Sequence, residues 1–159
     1  MRIYMDVNVF CRPFDDSTQS RIVQEAFAFI TILEEIIAGN MICIGSDILD
    51  FEVSNTSDEV KRLRLLDLIG CCSERVIIDE SLRNLGSEIE NEIHLAPRDA
   101  LHIASAIRGS SDYFLTCDDK VVRKTNDIQN FLLSRMMKLE IMNPIDFLRK
   151  YIQEMKTDG

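Results

Sequence analysis

The chain has 159 residues, 46% of them hydrophobic and 28% charged, with a net charge of −9 at pH 7 and only 3 prolines and 6 glycines. That is about one domain with enough apolar content for a core, which excludes a disordered or low-complexity chain. Such an acidic chain does not coat nucleic acid by bulk charge, although a grip through metal ions, a local basic patch or a dimer groove stays open.

The first residues, "MRIYMDVNVF", lack the charged-then-apolar layout and the small-residue cleavage site of a signal peptide. They read as a strand, apolar at Ile3, Met5, Val7 and Val9 and ending near Asp6. "CRPFDDSTQ" is a polar loop around Pro13. A helix is expected from Ser20 to Ala38, with Ile22, Val23, Ala26, Phe27, Ile30, Leu33 and Ile37 at three-to-four spacing and a stop at Gly39-Asn40. "MICIG" is a short buried strand, and Ser46 then caps a helix that carries Glu52. "TSDE" (Thr56 to Glu59) has the capping-box pattern and opens another helix, striped by Val60, Leu63, Leu66 and Ile69. The broad apolar faces of these helices, after Ser20 and after Thr56, would serve a dimer, a protein partner or the core.

"RVIID" (Arg75 to Asp79) is a third strand, and Leu82, Leu85, Ile89 and Ile93 stripe the helix after it. Pro97 suits the first turn of the helix "PRDALHIASAI". "DYFLT" is a fourth strand, followed by a short helix near "DKVVRK". "MKLEIM" is a fifth strand, Asn143-Pro144 starts a last helix with Ile145, Leu148 and Ile152 inward, and "KTDG" is expected to fray. Strands alternating with helices predict an α/β fold: a mainly parallel sheet of about five strands flanked by helices, in a single domain over residues 1–159. No apolar run reaches the roughly 18 residues of a membrane span, so a cytoplasmic protein without a membrane partner is expected.

The five cysteines, Cys11, Cys43, Cys71, Cys72 and Cys117, are odd in number and contain no C-x-x-C. They read as reduced cytosolic thiols. His94 and His102 stand eight apart with no cysteine at ligand spacing, and no zinc is expected.

The carboxylates are the informative feature. Sites in parallel sheets form at the carboxyl ends of the strands. Asp6 ends the first strand and Asp118 follows the fourth. The helix that feeds the fourth strand runs antiparallel to it, so its start, with Asp99, lies on the same edge, and Glu52 lies within about two turns of that edge on the helix leaving the second strand. Each acid alone has a bland explanation: a turn former, a helix-dipole partner, a solvated helix residue or a cap. Asp119 and Asp127 are rivals of Asp118. Together, four ionised carboxylates repel one another unless a cation joins them, and an all-oxygen set suits Mg²⁺, with Mn²⁺ as substitute. Asn8 and Thr116 are candidates to orient a site carboxylate, and His102, one turn from Asp99, is a supporting candidate or simply a satisfied core histidine. Asn8 is assigned here by strand alternation with Asp6. Lys120, Arg123 and Lys124, with Arg12 and Arg98, are candidates for a phosphate-binding rim and otherwise ordinary solvated charges.

These segments resemble the PIN domain, the metal-dependent nuclease family that includes the VapC-type toxins. "YMDVNVF" is similar to the family's first motif, "SDILDFE" to the segment ending in its Glu, "RDALHIASA" to its central helix, "DYFLTCDD" to its Thr-x-Asp motif, and "IMNPIDFL" to its usual ending. The Thr-x-Asp match selects Asp118 over Asp119. The resemblance spans nearly the whole chain and implies an endonuclease, usually acting on RNA, with Asp6, Glu52, Asp99 and Asp118 catalytic and holding Mg²⁺ or Mn²⁺. It also implies a homodimer, and a small antitoxin as partner where the protein is the toxin of a VapBC-type pair. The competing reading is a non-catalytic PIN-fold module that holds nucleic acid or protein. A phosphatase of the haloacid-dehalogenase kind is disfavoured, because Asn8 stands where its second Asp, the general acid, belongs.

Overall fold

The computed structural model describes residues 1–159. Five short strands, β1 (Arg2–Met5), β2 (Ile42–Ser46), β3 (Glu74–Val76), β4 (Tyr113–Leu115) and β5 (Glu140–Met142), form one sheet in the order β3-β2-β1-β4-β5. Every neighbouring pair is parallel. The helices are α1 (Val7–Cys11), α2 (Ser20–Ile37), α3 (Asp47–Ser54), α4 (Glu59–Ile69), α5 (Glu80–Ile93), α6 (Pro97–Arg108), α7 (Asp119–Val122), α8 (Thr125–Ser134) and α9 (Pro144–Thr157). The expected α/β architecture is therefore the observed one. No helix is long and apolar enough to cross a membrane.

Side-chain alternation divides the core between the two faces of the sheet. Tyr4 sits in register with Ile44 and Phe114, and these three pack against α5, α6 and α8. Ile3, Met5, Cys43 and Leu115 point the other way, onto α1, α2, α3, α4 and Phe147 of α9. The strand order reverses direction between β1 and β4, which opens a crevice at their carboxyl ends.

Several local expectations need correction. The first strand stops at Met5, and Val7 to Cys11 are helical. Val9 and Phe10 are both fully buried, which a helix allows for adjacent residues and a half-exposed strand does not. In "TSDE" the cap is Asp58, which accepts from the Lys61 amide at 2.9 Å. The Thr56 hydroxyl instead donates to the Glu52 carbonyl at the end of α3. α4 buries Leu65 and Ile69 and leaves Val60, Leu63 and Leu66 exposed. α2 buries Glu25, Ala28, Phe29 and Ile32, while Val23, Phe27, Ile30 and Ile37 face outward. In α9, Phe147 and Leu148 are buried and Ile152 is exposed, and the helix runs on to Thr157. Periodicity finds an apolar arc, but where the arc is broad only packing decides which part meets the sheet. α8 has no counterpart in the sequence reading.

Candidate functional site

Asp6 is the residue between β1 and α1, in extended conformation at the helix N-cap position. Its amide donates to the Leu115 carbonyl at 2.9 Å, which aligns the ends of β1 and β4. Its Oδ2 accepts from the Thr116 hydroxyl at 2.9 Å and from the Asn8 amide at 3.0 Å. Asn8 also donates to Thr116 Oγ1, and its own carbonyl oxygen accepts from the Cys117 amide at 2.9 Å. Thus Asn8 meets Asp6 from a helix, not from the strand assigned to it. The amide at the second position of α1 folds back over its N-cap and fastens the β1 end to the β4 end.

Asp118 caps α7, accepting from the Lys120 amide at 2.8 Å, and its own amide donates to Thr116 Oγ1 at 3.1 Å. Asp119 points elsewhere, into a two-bond pair with Arg21. Glu52 projects from α3, and Asp99 stands in the first turn of α6 after Pro97.

His102 joins these elements. Its Nε2 lies 2.9 Å from Glu52 Oε2 and 3.7 Å from Asp6 Oδ1. Its Nδ1 lies 2.7 Å from the Tyr4 hydroxyl, which is 2.6 Å from Ser46 Oγ. Ser46 Oγ also accepts the Leu49 amide, so Ser46 is the cap of α3 as expected. Tyr4, Ser46 and His102 are essentially inaccessible to solvent. Every member of this chain is hydrogen-bonded, which is the condition for burying polar groups without penalty. Tyr4 was invisible as a site residue in the sequence, where it is one apolar-facing strand position among several. The signal that would find it is its register, beside the strand end that leads to Ser46.

The electrostatics follow the geometry. Burial raises the Asp6 pKa and the Glu52 charge raises it further, against the pull of His102 and the Thr116 bond. Asp99 is raised to about 6, first by burial and then by the charges of Asp6, Asp118 and Glu52. Burial opposes the charged form of His102, but the Glu52 bond and the charges of Asp6, Glu52 and Asp99 prevail and raise its pKa. The Asp99 carboxyl therefore feels the charges of Asp6, Asp118 and Glu52, and His102 stands among these acids as a hydrogen-bonding partner. Ligand atoms of Asp6, Glu52 and His102 lie within 4.8 Å of one another, a spacing that a single cation spans. The crowded, mostly oxygen donor set fits a hard divalent cation such as Mg²⁺.

The basic candidates divide. Arg12 is half-buried and turned inward, paired with Glu25 and, at 2.7 Å, with Asp15. It is thereby withdrawn from the phosphate rim assigned to it: a buried carboxylate at Glu25 demands a partner more strongly than solvent does. Glu25 also accepts from Arg21 and Asn143, at 2.8 Å each. Arg98, Lys120 and Arg123 are exposed; Arg98 lies over the Phe51 ring, and Lys124 is 3.8 Å from Asp127. His94 is exposed and ends α5 in left-handed conformation, apart from the cluster. Cys43, Cys71 and Cys72 converge in space, which their sequence spacing did not suggest.

No protein-family model matches the chain, and no curated protein matches it in sequence. Among solved structures, it is similar to the crystal structure of VapBC2 from Rickettsia felis bound to a DNA fragment from their promoter. The TM-score is 0.55 at 18% identity, over 89% of this chain and 98% of that chain. At that identity the likeness concerns the fold.

Proposed function

We propose that this chain is a Mg²⁺-dependent endoribonuclease of the PIN-domain kind, with Mn²⁺ as substitute, and the toxin of a VapBC-type pair. The observation that carries the reading is the convergence of Asp6, Glu52 and His102, with ligand atoms within 4.8 Å of one another where β1 and β4 end, and of an Asp99 carboxyl that feels the charges of Asp6, Asp118 and Glu52. The likeness to the VapBC2 structure supports the fold part of the reading and suggests a small antitoxin as partner. One domain over residues 1–159 and a homodimer belong to the same proposal.

In this reading the four carboxylates hold the cation. When bound, it supplies charge neutralisation at the phosphodiester and a more acidic attacking water. The chain's own residues supply the preorganisation. Thr116 and Asn8 fix the Asp6 carboxylate. His102, itself held by Tyr4, fixes Glu52. The first turn of α6 presents Asp99, and the α7 cap fixes Asp118 near the exposed Lys120 and Arg123, which would take up backbone phosphates in this reading.

The test is cleavage of labelled single-stranded RNA with Mg²⁺ or Mn²⁺, beside an EDTA control and the Asp99→Asn protein. Metal-dependent cleavage that disappears in the variant is expected. Cleavage at the wild-type rate by Asp99→Asn would overturn the four-carboxylate assignment.

A further inference from the structure

A second cluster of metal-ligating side chains lies on the other face of the sheet. Cys43 is in register with Ile3 on β2, so it points away from the face that carries Tyr4 and His102. It is fully buried, whereas Cys71 and Cys72 are half-buried in the turn that follows α4. In that turn the Cys71 and Cys72 amides donate to the carbonyls of Leu68 and Ile69, both at 3.1 Å. This tight winding brings two consecutive cysteines against β2. Gly45 permits the approach, since a Cβ there would lie 3.1 Å from the Cys72 Cβ.

The three sulfurs lie within 4.8 Å of one another, and the Cys43 and Cys72 sulfurs are 3.1 Å apart. A cation held by thiolates at about 2.3 Å places trigonal sulfurs about 4 Å apart, so small side-chain adjustments would close the set around one ion. The donors are all sulfur, which selects soft, thiophilic cations over the hard cation suited to the carboxylates. A disulfide would use two of the three thiols and leave the third unexplained.

We propose that Cys43, Cys71 and Cys72 form a three-thiolate site for one thiophilic cation, Zn²⁺ or Cu(I), separate from the carboxylate cluster. Binding releases the thiol protons to solvent and ties β2 to the end of α4. The Arg75 guanidinium, whose charge favours the Cys72 thiolate, offsets part of the negative charge of the loaded site.

The experiment uses the full chain, reduced and anaerobic, with excess Mg²⁺ to occupy the carboxylates. Cd²⁺ serves as the spectroscopic probe for the zinc arm. Cu(I) is added against a chromophoric Cu(I) chelator in the other. Thiolate-to-metal charge-transfer absorption that saturates at one equivalent is expected in at least one arm, with a rise in Tm. Cys71→Ser and Cys72→Ser should each weaken binding at least about a hundredfold, the upper end of what losing a mere supporting group costs. Cys11→Ser should bind as the wild type does. Cys71 is only half-buried, so its variant keeps the test decisive should Cys43→Ser fail to fold. Absence of one-equivalent binding in both arms, or equal binding by Cys71→Ser, would overturn the site.

Discussion

The Nε2 of His102 lies 2.9 Å from the Glu52 carboxylate, a bond that joins α6 to α3 across the crevice. His102 thus bonds the carboxylates of an acidic cluster, which gives it both a stability role and a positioning role. His102→Gln keeps part of the bonding and should cost about 2–3 kcal/mol, from polar groups left unsatisfied and packing lost. Its pKa is raised in the folded state. The stability it confers is therefore full below about pH 6.5 and is lost as pH rises through the folded value. Urea denaturation of wild type between pH 6 and 8.5 should show that decline, and His102→Gln should flatten it.

Asp99 has the opposite effect on stability. Its pKa stands at about 6 in the fold, above the ordinary carboxylate value. The folded chain therefore holds this proton more tightly than the unfolded chain, and stability falls as pH rises from about 4 to about 6. Without divalent cation, Asp99→Asn should be more stable than wild type at pH 7.5 by about 1–2 kcal/mol, allowing for solvent screening. At pH 4 the two should melt together. Calorimetry in EDTA at the two pH values checks the sign.

Thr116 donates to Asp6 while accepting from Asn8 and from the Asp118 amide. Thr116→Val keeps the shape and removes all three bonds, and should cost about 1–3 kcal/mol. Thr116→Ser should restore most of that. RNA cleavage should follow the same order. Equal activity of the Val and Ser variants would count against Thr116 as the positioning residue of Asp6.

Glu25 is wholly buried beneath Arg12, Arg21 and Asn143. Burial raises its pKa, but these three partners lower it by more. Its stability contribution is thus present above about pH 4.5 and is lost as pH falls through the lower folded value. Glu25→Ala takes one partner from each of Arg12 and Arg21, which keep Asp15 and Asp119, and leaves the Asn143 amide without its acceptor; it should cost about 1–3 kcal/mol, measurable as a fall in the urea midpoint.

The basic residues should separate in the same way. Arg12→Ala should behave as a stability variant, since Arg12 is tied to Glu25 and Asp15. Lys120→Ala and Arg123→Ala should leave stability within about 0.5 kcal/mol of wild type. They should weaken RNA binding and reduce its salt dependence. Binding isotherms at two salt concentrations, beside thermal melts, distinguish the two classes.

Much of this protein follows from local sequence. Strand and helix alternation specifies the parallel sheet, because parallel neighbours need crossovers and those crossovers are helices. It also places Asp6, Glu52, Asp99 and Asp118 near one edge, because the carboxyl ends of parallel strands share an edge. The caps at Ser46 and Asn143 are short-range chemistry and hold as read. Three matters belong to tertiary structure alone. Which arc of α2 and α4 is buried depends on contacts from distant segments, so Phe27 and Leu63 are exposed although their periodicity suits a core. Arg12 is claimed by Glu25, a partner thirteen residues on whose burial no local pattern signals. The Tyr4–His102–Glu52 chain and the three cysteines gather residues from separate elements through strand register and helix docking. A sequence lists such groups, but their distances exist only once the sheet has formed.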